Sequence, residues 1–270
     1  LNARIEKVQW WLDRAKPDVL LMQETKLADA AAPVGIFRDA GYEVRHRLED
    51  GVISLRFDID PTERLLAVME AREHRAEAVS VQALFSPSSL VVVGASRNPG
   101  TVGHRLLKDL LAGGFTGALH LVHPEVEEIE GVRAYRRLTD IPGRIDLVLL
   151  AVRAEEVIGV VRDCARRGVR GWVVVSGGFA ETGPEGLLRQ RELVRLARTN
   201  GMRVVGPNSW GIINTDPAVR LNVSLVEELP RTGRLGLFCQ SGAMSVSVLD
   251  SARRRGLGLS TFLSAGNRAD

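Results

Sequence analysis

The stretch S-L-V-V-V-G-A-S-R-N-P-G-T-V-G, residues 89–103, restricts the fold more than any other part of the chain. It is a short β-branched strand that runs into a glycine-rich turn and then into a helix, and a continuous apolar strand of this kind has to be covered on both faces. With Gly94, Ser96, Gly100 and Gly103 in the turn, backbone amides and the positive end of the next helix can approach a phosphate unobstructed by side chains. The spacing G-x-S-x-x-x-G-x-x-G is looser than the dinucleotide fingerprint G-x-G-x-x-G. Two readings therefore stand: a nucleotide-like ligand at the first βα turn, or a tight structural turn.

The alternation continues downstream. Apolar strands are expected at 90–93, 118–122, 145–152, 171–175 and 203–205, with amphipathic helices around 102–111, 154–167 and 184–200 between them. Gly113-Gly114, Gly168 and Gly201 mark the helix ends. This is the pattern of an α/β fold with a Rossmann-like, doubly wound parallel sheet, whose ligands bind at the carboxyl ends of the strands. A nicotinamide dinucleotide would ordinarily find an acid at the end of the second strand to hold its ribose. Here that end reads L-V-H-P-E, with His123 and Pro124 in the acid's place.

Two further landmarks are G-P-N-S-W-G-I-I-N at 206–214 and G-L-F-C-Q-S-G-A-M-S at 236–245, followed by S-A-G-N-R-A-D at the carboxyl end. With the first turn, and in this order and spacing, they resemble the CoA-binding half of the nucleoside-diphosphate-forming acyl-CoA synthetases, over about 86–270. That group includes the succinyl-CoA synthetase α-subunit and ADP-forming acetate–CoA ligase, and the likeness is nearest to bacterial proteins that fuse such a half to a GNAT acetyltransferase domain. The resemblance implies a CoA-binding Rossmann domain at 86–222, and at 223–270 the start of a second, flavodoxin-like α/β domain. It implies a coenzyme A or acyl-CoA site formed by Gly94, Ala95, Ser96, Asn98, Gly100, Thr101, Val102 and Gly103, with His123 and Pro124 beyond the second strand. The groove's walls would be Val152 with Arg153 and Ser176 with Gly177. The relatives usually read V-N-P where His123 stands, and carry proline at Arg153. His123 can be read as reaching a CoA phosphate or as a loop histidine, and Arg153 as favouring CoA phosphates or as facing solvent.

The family's chemistry passes through an acyl phosphate, a phosphohistidine and thioester exchange with CoA. The helix opening at Gln240, Ser241, Gly242 and Ala243 matches its anion site, although Ser241 also fits an ordinary N-cap. None of His46, His74, His104, His120 or His123 falls in the context of the phosphorylated histidine. No catalytic residue is therefore assigned, and the chain is expected to be truncated and incomplete for interconverting acyl-CoA, ADP and phosphate. An ATP-grasp domain or subunit is the implied partner. The 223–270 piece is short, so it is expected either to pack along the Rossmann domain or to remain locally unstable, with Leu235, Leu237, Val246, Val248 and Leu249 partly exposed.

The first 85 residues have a different character. Ile5, Val8, Trp11 and Leu12 recur at helical spacing, and K-P-D-V-L-L-M-Q-E-T-K then delivers Gln23, Glu24, Thr25 and Lys26 at a strand end. Residues 1–46 resemble a fragment of the exodeoxyribonuclease III and AP-endonuclease group, in which the glutamate matching Glu24 ligates a divalent metal. The remaining motifs of that group are absent from the chain, and one carboxylate does not hold a catalytic metal. Residues 47–85 comprise a strand at 51–60 that resembles the last strand of a GNAT domain, and a linker helix at 61–81. Thr62 would cap that helix, and Leu65, Leu66, Val68 and Met69 would pack.

Composition narrows the classes. With 45% hydrophobic and 26% charged residues, the 270-residue chain can bury a core. No apolar run reaches membrane-spanning length and the N-terminus is not a signal peptide, so a cytoplasmic protein without membrane partners is expected. Cys164 and Cys239 read as reduced, buried thiols. A net charge of +3 with no long basic run gives nucleic acid little support as a partner. The expected function is CoA or acyl-CoA binding in the acyl-CoA synthetase family. A CoA-sensing regulatory module of a protein acetyltransferase is the alternative, and a DNA-repair nuclease the third.

Overall fold

The computed structural model describes Arg38 and residues 42–49, 52–57 and 63–269. The helix and strand expected over 1–37, with Glu24, lie outside these residues. So does Thr62.

The amino-terminal unit contains an antiparallel hairpin of β1 (Val44–Glu49) and β2 (Val52–Phe57), with Val44 opposite Phe57 and Glu49 opposite Val52. β2 is the strand expected at 51–60, and β1 is an addition to that expectation. Helix α1 (Glu63–Phe85) outruns its expected end, and Leu66 on it is exposed. Its last turn buries Leu84 against Gly171, so closely that a Cβ on that glycine would meet the leucine side chain at 2.1 Å.

The second unit is built on a seven-stranded sheet. Its strands are β3 (Ser89–Val93), β4 (Ala118–Val122), β5 (Glu128–Ile129), β6 (Val132–Tyr135), β7 (Leu147–Leu150), β8 (Gly171–Val174) and β9 (Arg203–Val205). They lie in the order β5-β6-β4-β3-β7-β8-β9, parallel except for the β5–β6 pair at one edge. Three helices make the crossovers: α2 (Val102–Gly113), α3 (Ala154–Arg167) and α4 (Pro184–Thr199). The chain winds outward from β3 to one side through β4 and β6, then to the other through β7, β8 and β9. The order therefore reverses at β3, and ligands of doubly wound sheets bind at the strand ends where this happens.

The unbroken Val/Leu strands are buried on both faces because both faces are covered. Val91, Val93, Val148, Leu150, Trp172 and Val174 pack under α3 and α4 through Val157, Val161, Cys164, Leu193 and Ala197. Leu90, Val92, Leu147, Leu149 and Val173 pack under α2 through Leu106, Leu107 and Leu110. At roughly 1.5–3 kcal/mol for each fully buried large apolar side chain, these two layers supply most of the folding drive.

The second face has another cover. Strands β10 (Gly211–Asn214) and β11 (Leu221–Ser224) bring Ile212, Leu221 and Val223 into the same cluster. Both strands belong to a second, four-stranded sheet, β11-β10-β13-β12, with β12 (Thr232–Cys239) and β13 (Leu259–Ser264) parallel and joined by α5 (Gly242–Arg254). Hydrogen bonding thus draws strands on both sides of residue 222 into one sheet. Leu249 is a correction to the expected exposure: it is buried with Ile213, Cys239, Ala252, Leu259 and Phe262, because α5 turns that side inward. Leu235, on the edge strand β12, and Val246, on α5, are exposed as expected. Among the described residues no helix is long and apolar enough to cross a membrane.

Candidate functional site

The site begins where β3 ends. Gly94 has φ +95°, and a Cβ there would lie 2.5 Å from the Ala151 carbonyl oxygen, so β3 can leave the sheet at this point only as glycine. Nine residues later Gly103, in the first turn of α2, sits against the Gly94 carbonyl: its Cβ would be 1.8 Å from that oxygen. The two glycines let the helix start directly on the strand end. Gly100 is under no such constraint, since a Cβ there would meet only Asn98 Oδ1, at 3.3 Å.

Between them the loop is knitted from its own polar groups. The Asn98 amide donates to Ser96 Oγ (3.1 Å), and the Gly100 amide to Asn98 Oδ1 (2.9 Å). Thr101 donates to the Asn98 carbonyl through both its amide (3.1 Å) and its hydroxyl (2.9 Å). Its hydroxyl oxygen in turn accepts the His104 amide (3.3 Å) as the N-cap of α2. His104 Nδ1 meets the Ser96 carbonyl at 2.8 Å, pinning the loop to the helix. This leaves the amides of Ser96 and Arg97 without an acceptor among the described residues, beside the unpaired amides that open any helix, here Val102 and Gly103. Ala95 is buried beneath them. A rigid loop with several unspent N–H donors at a helix N-terminus can hold a phosphate.

The second strand ends beside it, since Val93 pairs with Val122. The next residue, His123, donates its amide to the Tyr135 carbonyl (2.9 Å), while its Nδ1 accepts the amides of Glu125 (3.2 Å) and Val126 (3.3 Å). The imidazole thus performs the turn-capping that an asparagine oxygen performs in an Asx turn. Pro124 is exposed in the same turn. Arg97 reaches across from the glycine loop and donates to the Glu128 carbonyl at 3.4 Å.

The other wall follows β7 and β8. The Ser176 hydroxyl donates to the Val152 carbonyl, and the Asn208 amide donates to the Ser176 carbonyl at 2.9 Å. These contacts bring Val152, Ser176 and Gly177 together with the G-P-N-S-W segment. The Arg153 amide donates to Glu156 Oε2 (3.2 Å) at the start of α3, and its guanidinium is exposed without a partner among the described residues. Trp210 packs against Gly242, where a Cβ would meet the indole nitrogen at 2.0 Å, so the mouth of α5 lies next to the same segment. There Ser241 Oγ accepts the Met244 amide (3.4 Å) as an N-cap, with Gln240 and Ala243 exposed on either side.

Sequence reasoning passes over one polar cluster. Glu181 accepts the amides of Gly178 (2.6 Å) and Phe179 (3.1 Å), and Asn267 bonds both Glu181 and Gln190 (3.0 Å). Burial pushes the Glu181 carboxyl up, but the Asn267 amide and the backbone N–H groups outweigh it and hold the group below the usual carboxylate range. It is therefore an anionic staple that fixes the 176–181 loop, and it latches the tail after β13 onto that loop. The separation of 86 residues between Glu181 and Asn267 leaves no local signal to find it by. Arg97 and His104 are likewise additions to the expected site, although both lie within or next to the glycine turn. Among the described residues no cluster of metal-ligating side chains is present.

Residues 88–215 match the CoA binding domain family, and residues 232–270 the succinyl-CoA ligase like flavodoxin domain. The chain is 39% identical over 189 residues to acetate–CoA ligase [ADP-forming] I of Archaeoglobus fulgidus, covering 70% of this chain and 27% of that protein. It is 35% identical over 196 residues to the α subunit of acetate–CoA ligase [ADP-forming] I of Pyrococcus furiosus, covering 71% and 42% respectively. Among solved structures, the dinucleotide forming acetyl-coenzyme A synthetase 1 of Ca. Korarchaeum cryptofilum, in complex with phosphate and ADP, superposes with a TM-score of 0.67 at 36% identity over 70% of this chain and 40% of that one. The chain thus spans less than half the length of these relatives. The CoA binding domain match begins at residue 88, immediately ahead of β3.

Proposed function

The homologues of this chain are ADP-forming acid–CoA ligases and their α subunits, with a CoA-binding domain where residues 88–215 lie, and on that premise we propose that the chain binds coenzyme A or an acyl-CoA at the carboxyl ends of β3, β4, β7 and β8. The diphosphate lies over the 94–103 turn, taking the free amides of Ser96, Arg97, Val102 and Gly103. The pantetheine arm runs along Val152 and Ser176 toward Asn208, and the mouth of α5 beyond Trp210 receives a phosphoryl group. The observation that carries this reading is the turn itself: two glycines whose missing Cβ atoms let a helix N-terminus stand open at the switch point of the sheet.

In this role the chain supplies the CoA-holding part of an acid–CoA ligase. ATP chemistry belongs to an ATP-grasp partner domain or subunit, and the complete reaction converts acyl-CoA, ADP and phosphate into acid, CoA and ATP. The test is calorimetric titration of the whole chain. CoA binds the wild type more tightly than NAD does, and Ser96→Glu weakens CoA by about a hundredfold, because a carboxylate then faces the diphosphate. Tighter binding of NAD than of CoA would refute the proposal. Gly94→Val is a poor substitute for this variant: its Cβ would collide with the Ala151 carbonyl and damage the sheet itself.

A further inference from the structure

We propose that the free edge of β12 is a self-association surface, on which a second copy of this chain adds its own β12 antiparallel to the first, about a two-fold axis at Gly236. β12 is the outermost strand of the four-stranded sheet, and its strand partner among the described residues is β13 alone. That partner fixes the direction of the backbone groups. The Arg231 and Cys239 carbonyls accept the amides of Leu259 and Ala265, and the Leu235 amide donates to the Gly258 carbonyl. The odd-numbered residues thus turn their N–H and C=O groups toward β13. Direction alternates along a strand, so Arg234, Gly236 and Phe238 aim theirs out of the sheet. All three residues are exposed. A row of unspent donors and acceptors is a template for another strand.

The side chains single out a second copy as that strand. Pairing about Gly236 sets Arg234 opposite Phe238 of the other copy, Leu235 opposite Leu237, and glycine opposite glycine at the axis. Each unlike pair occurs twice by symmetry. Among registers that match outward-facing residues with one another, this one alone sets the cation against the ring. Both groups are free for it: Arg234 has no ion pair among the described residues, and Phe238, 66% exposed, has no ring contact there. A guanidinium over an aromatic ring is attractive, whereas an edge arginine facing its own kind guards against strand addition.

The axis position fits the same reading. A Cβ at Gly236 would meet nothing closer than Thr261 Oγ1, at 3.6 Å, so the fold around it has room for a side chain. Two backbones closing on each other at the axis are served by having none. On the other face Leu237 packs with Leu249 and Ala252 of α5, and Met244 and Val246 on that helix add exposed apolar surface beside the edge. Such a collection at an unpaired strand marks an interface.

Sedimentation equilibrium of the whole chain, from about 1 to 100 μM, is the test, and it does not depend on the CoA reading. The wild type should dimerise with a dissociation constant on the order of 10 μM, as suits a small interface. Phe238→Lys sets an ammonium against Arg234 of the other copy and should weaken the dimer about thirtyfold. Phe238→Glu sets a carboxylate against the same arginine and should stay within about threefold of the wild type, with a new dependence on salt. Circular dichroism of both variants should match the wild type, since the ring is exposed. A wild type that stays monomeric throughout the range overturns the proposal and leaves the edge to a different partner. A dimer that Phe238→Lys leaves intact, or that the two variants weaken equally, overturns it as well.

Discussion

The two ends of the seven-stranded sheet are finished in opposite ways. At the amino ends polar groups are closed off by side chains. Asp146 accepts the amide and hydroxyl of Ser88, stands 3.3 Å from Arg144 and 3.8 Å from Arg170, and donates its own amide to Ser89 Oγ at 3.0 Å. At the carboxyl ends the chain turns on glycines, and the amides of Ser96, Arg97, Val102 and Gly103 are left open. The closed end stitches β3, β7 and β8 together, through groups as far apart in sequence as Ser88 and Asp146. The open end leaves amide donors unspent, and in the proposed reading the CoA diphosphate accepts them. Stability and function are thus separated along the strand axis.

The sharpest way to break this comparison is Gly103→Val. Its Cβ meets backbone rather than a flexible side chain, so the damage falls on the fold as well as the site, on the order of 4 kcal/mol in denaturant unfolding. A stable, CoA-binding Gly103→Val protein would mean that α2 does not start on Gly94.

At the other end Asp146→Ala should cost about 2 kcal/mol, because it removes a buried carboxylate that accepts the amide and hydroxyl of Ser88 and is the partner of two arginines. CoA affinity of the folded fraction should be unchanged. The pH dependence adds a check. Burial raises the Asp146 carboxyl, but the Ser88 bonds, Arg144 and Arg170 outweigh burial and hold it below its ordinary 3.8. Its contribution is therefore present above 3.8 and is lost as the pH falls through the depressed folded value. The wild type's advantage over Asp146→Ala should shrink only in that acid range.

The smallest effect concerns Asp109 on α2. It shows that an unsatisfied group need not be functional. Its Oδ2 is buried without a hydrogen bond, with Arg105 Nε at 3.7 Å. Burial pushes its carboxyl up to about 6, Arg105 lowers it and Glu227 raises it further. The folded state thus takes up a proton more readily than the unfolded chain, and Asp109's contribution to stability is full below 3.8 and lost as the pH rises through about 6. Asp109→Asn should gain about 1 kcal/mol over the wild type between acid and neutral pH, with no change in CoA affinity. A neutral-pH loss of stability in that variant would show that Arg105 dominates.

Much of this contrast can be read from the residues. β4 and α3 agree with their expected limits to the residue, because a short, mostly apolar run after Gly117 and a glycine-terminated amphipathic repeat are local signals. The strand expected over 145–152 contracts to β7, because Asp146 serves the closed end instead of the ladder. β5, β6, β10 and β11 have no counterpart among the expected strands. They are short, and each acquires its meaning from a partner, as Ile212 does from Leu263. The glycine turn is legible as a phosphate cradle or a structural turn, but Arg97 and the Nδ1 role of His123 depend on contacts with a connection that has no pattern of its own. The Glu181–Asn267 latch joins segments that only the complete sheet brings together.

Amide hydrogen exchange with and without saturating CoA tests the central claim most directly, because it reports both ends of the sheet at once. CoA should slow exchange at Ser96, Arg97, Val102 and Gly103, and along Ser176–Asn208 to a lesser degree, while amides around Asp146 and Arg170 keep their rates apart from any uniform shift. Binding that protects the 144–148 and 168–172 amides and leaves the 94–103 turn unchanged would contradict the account.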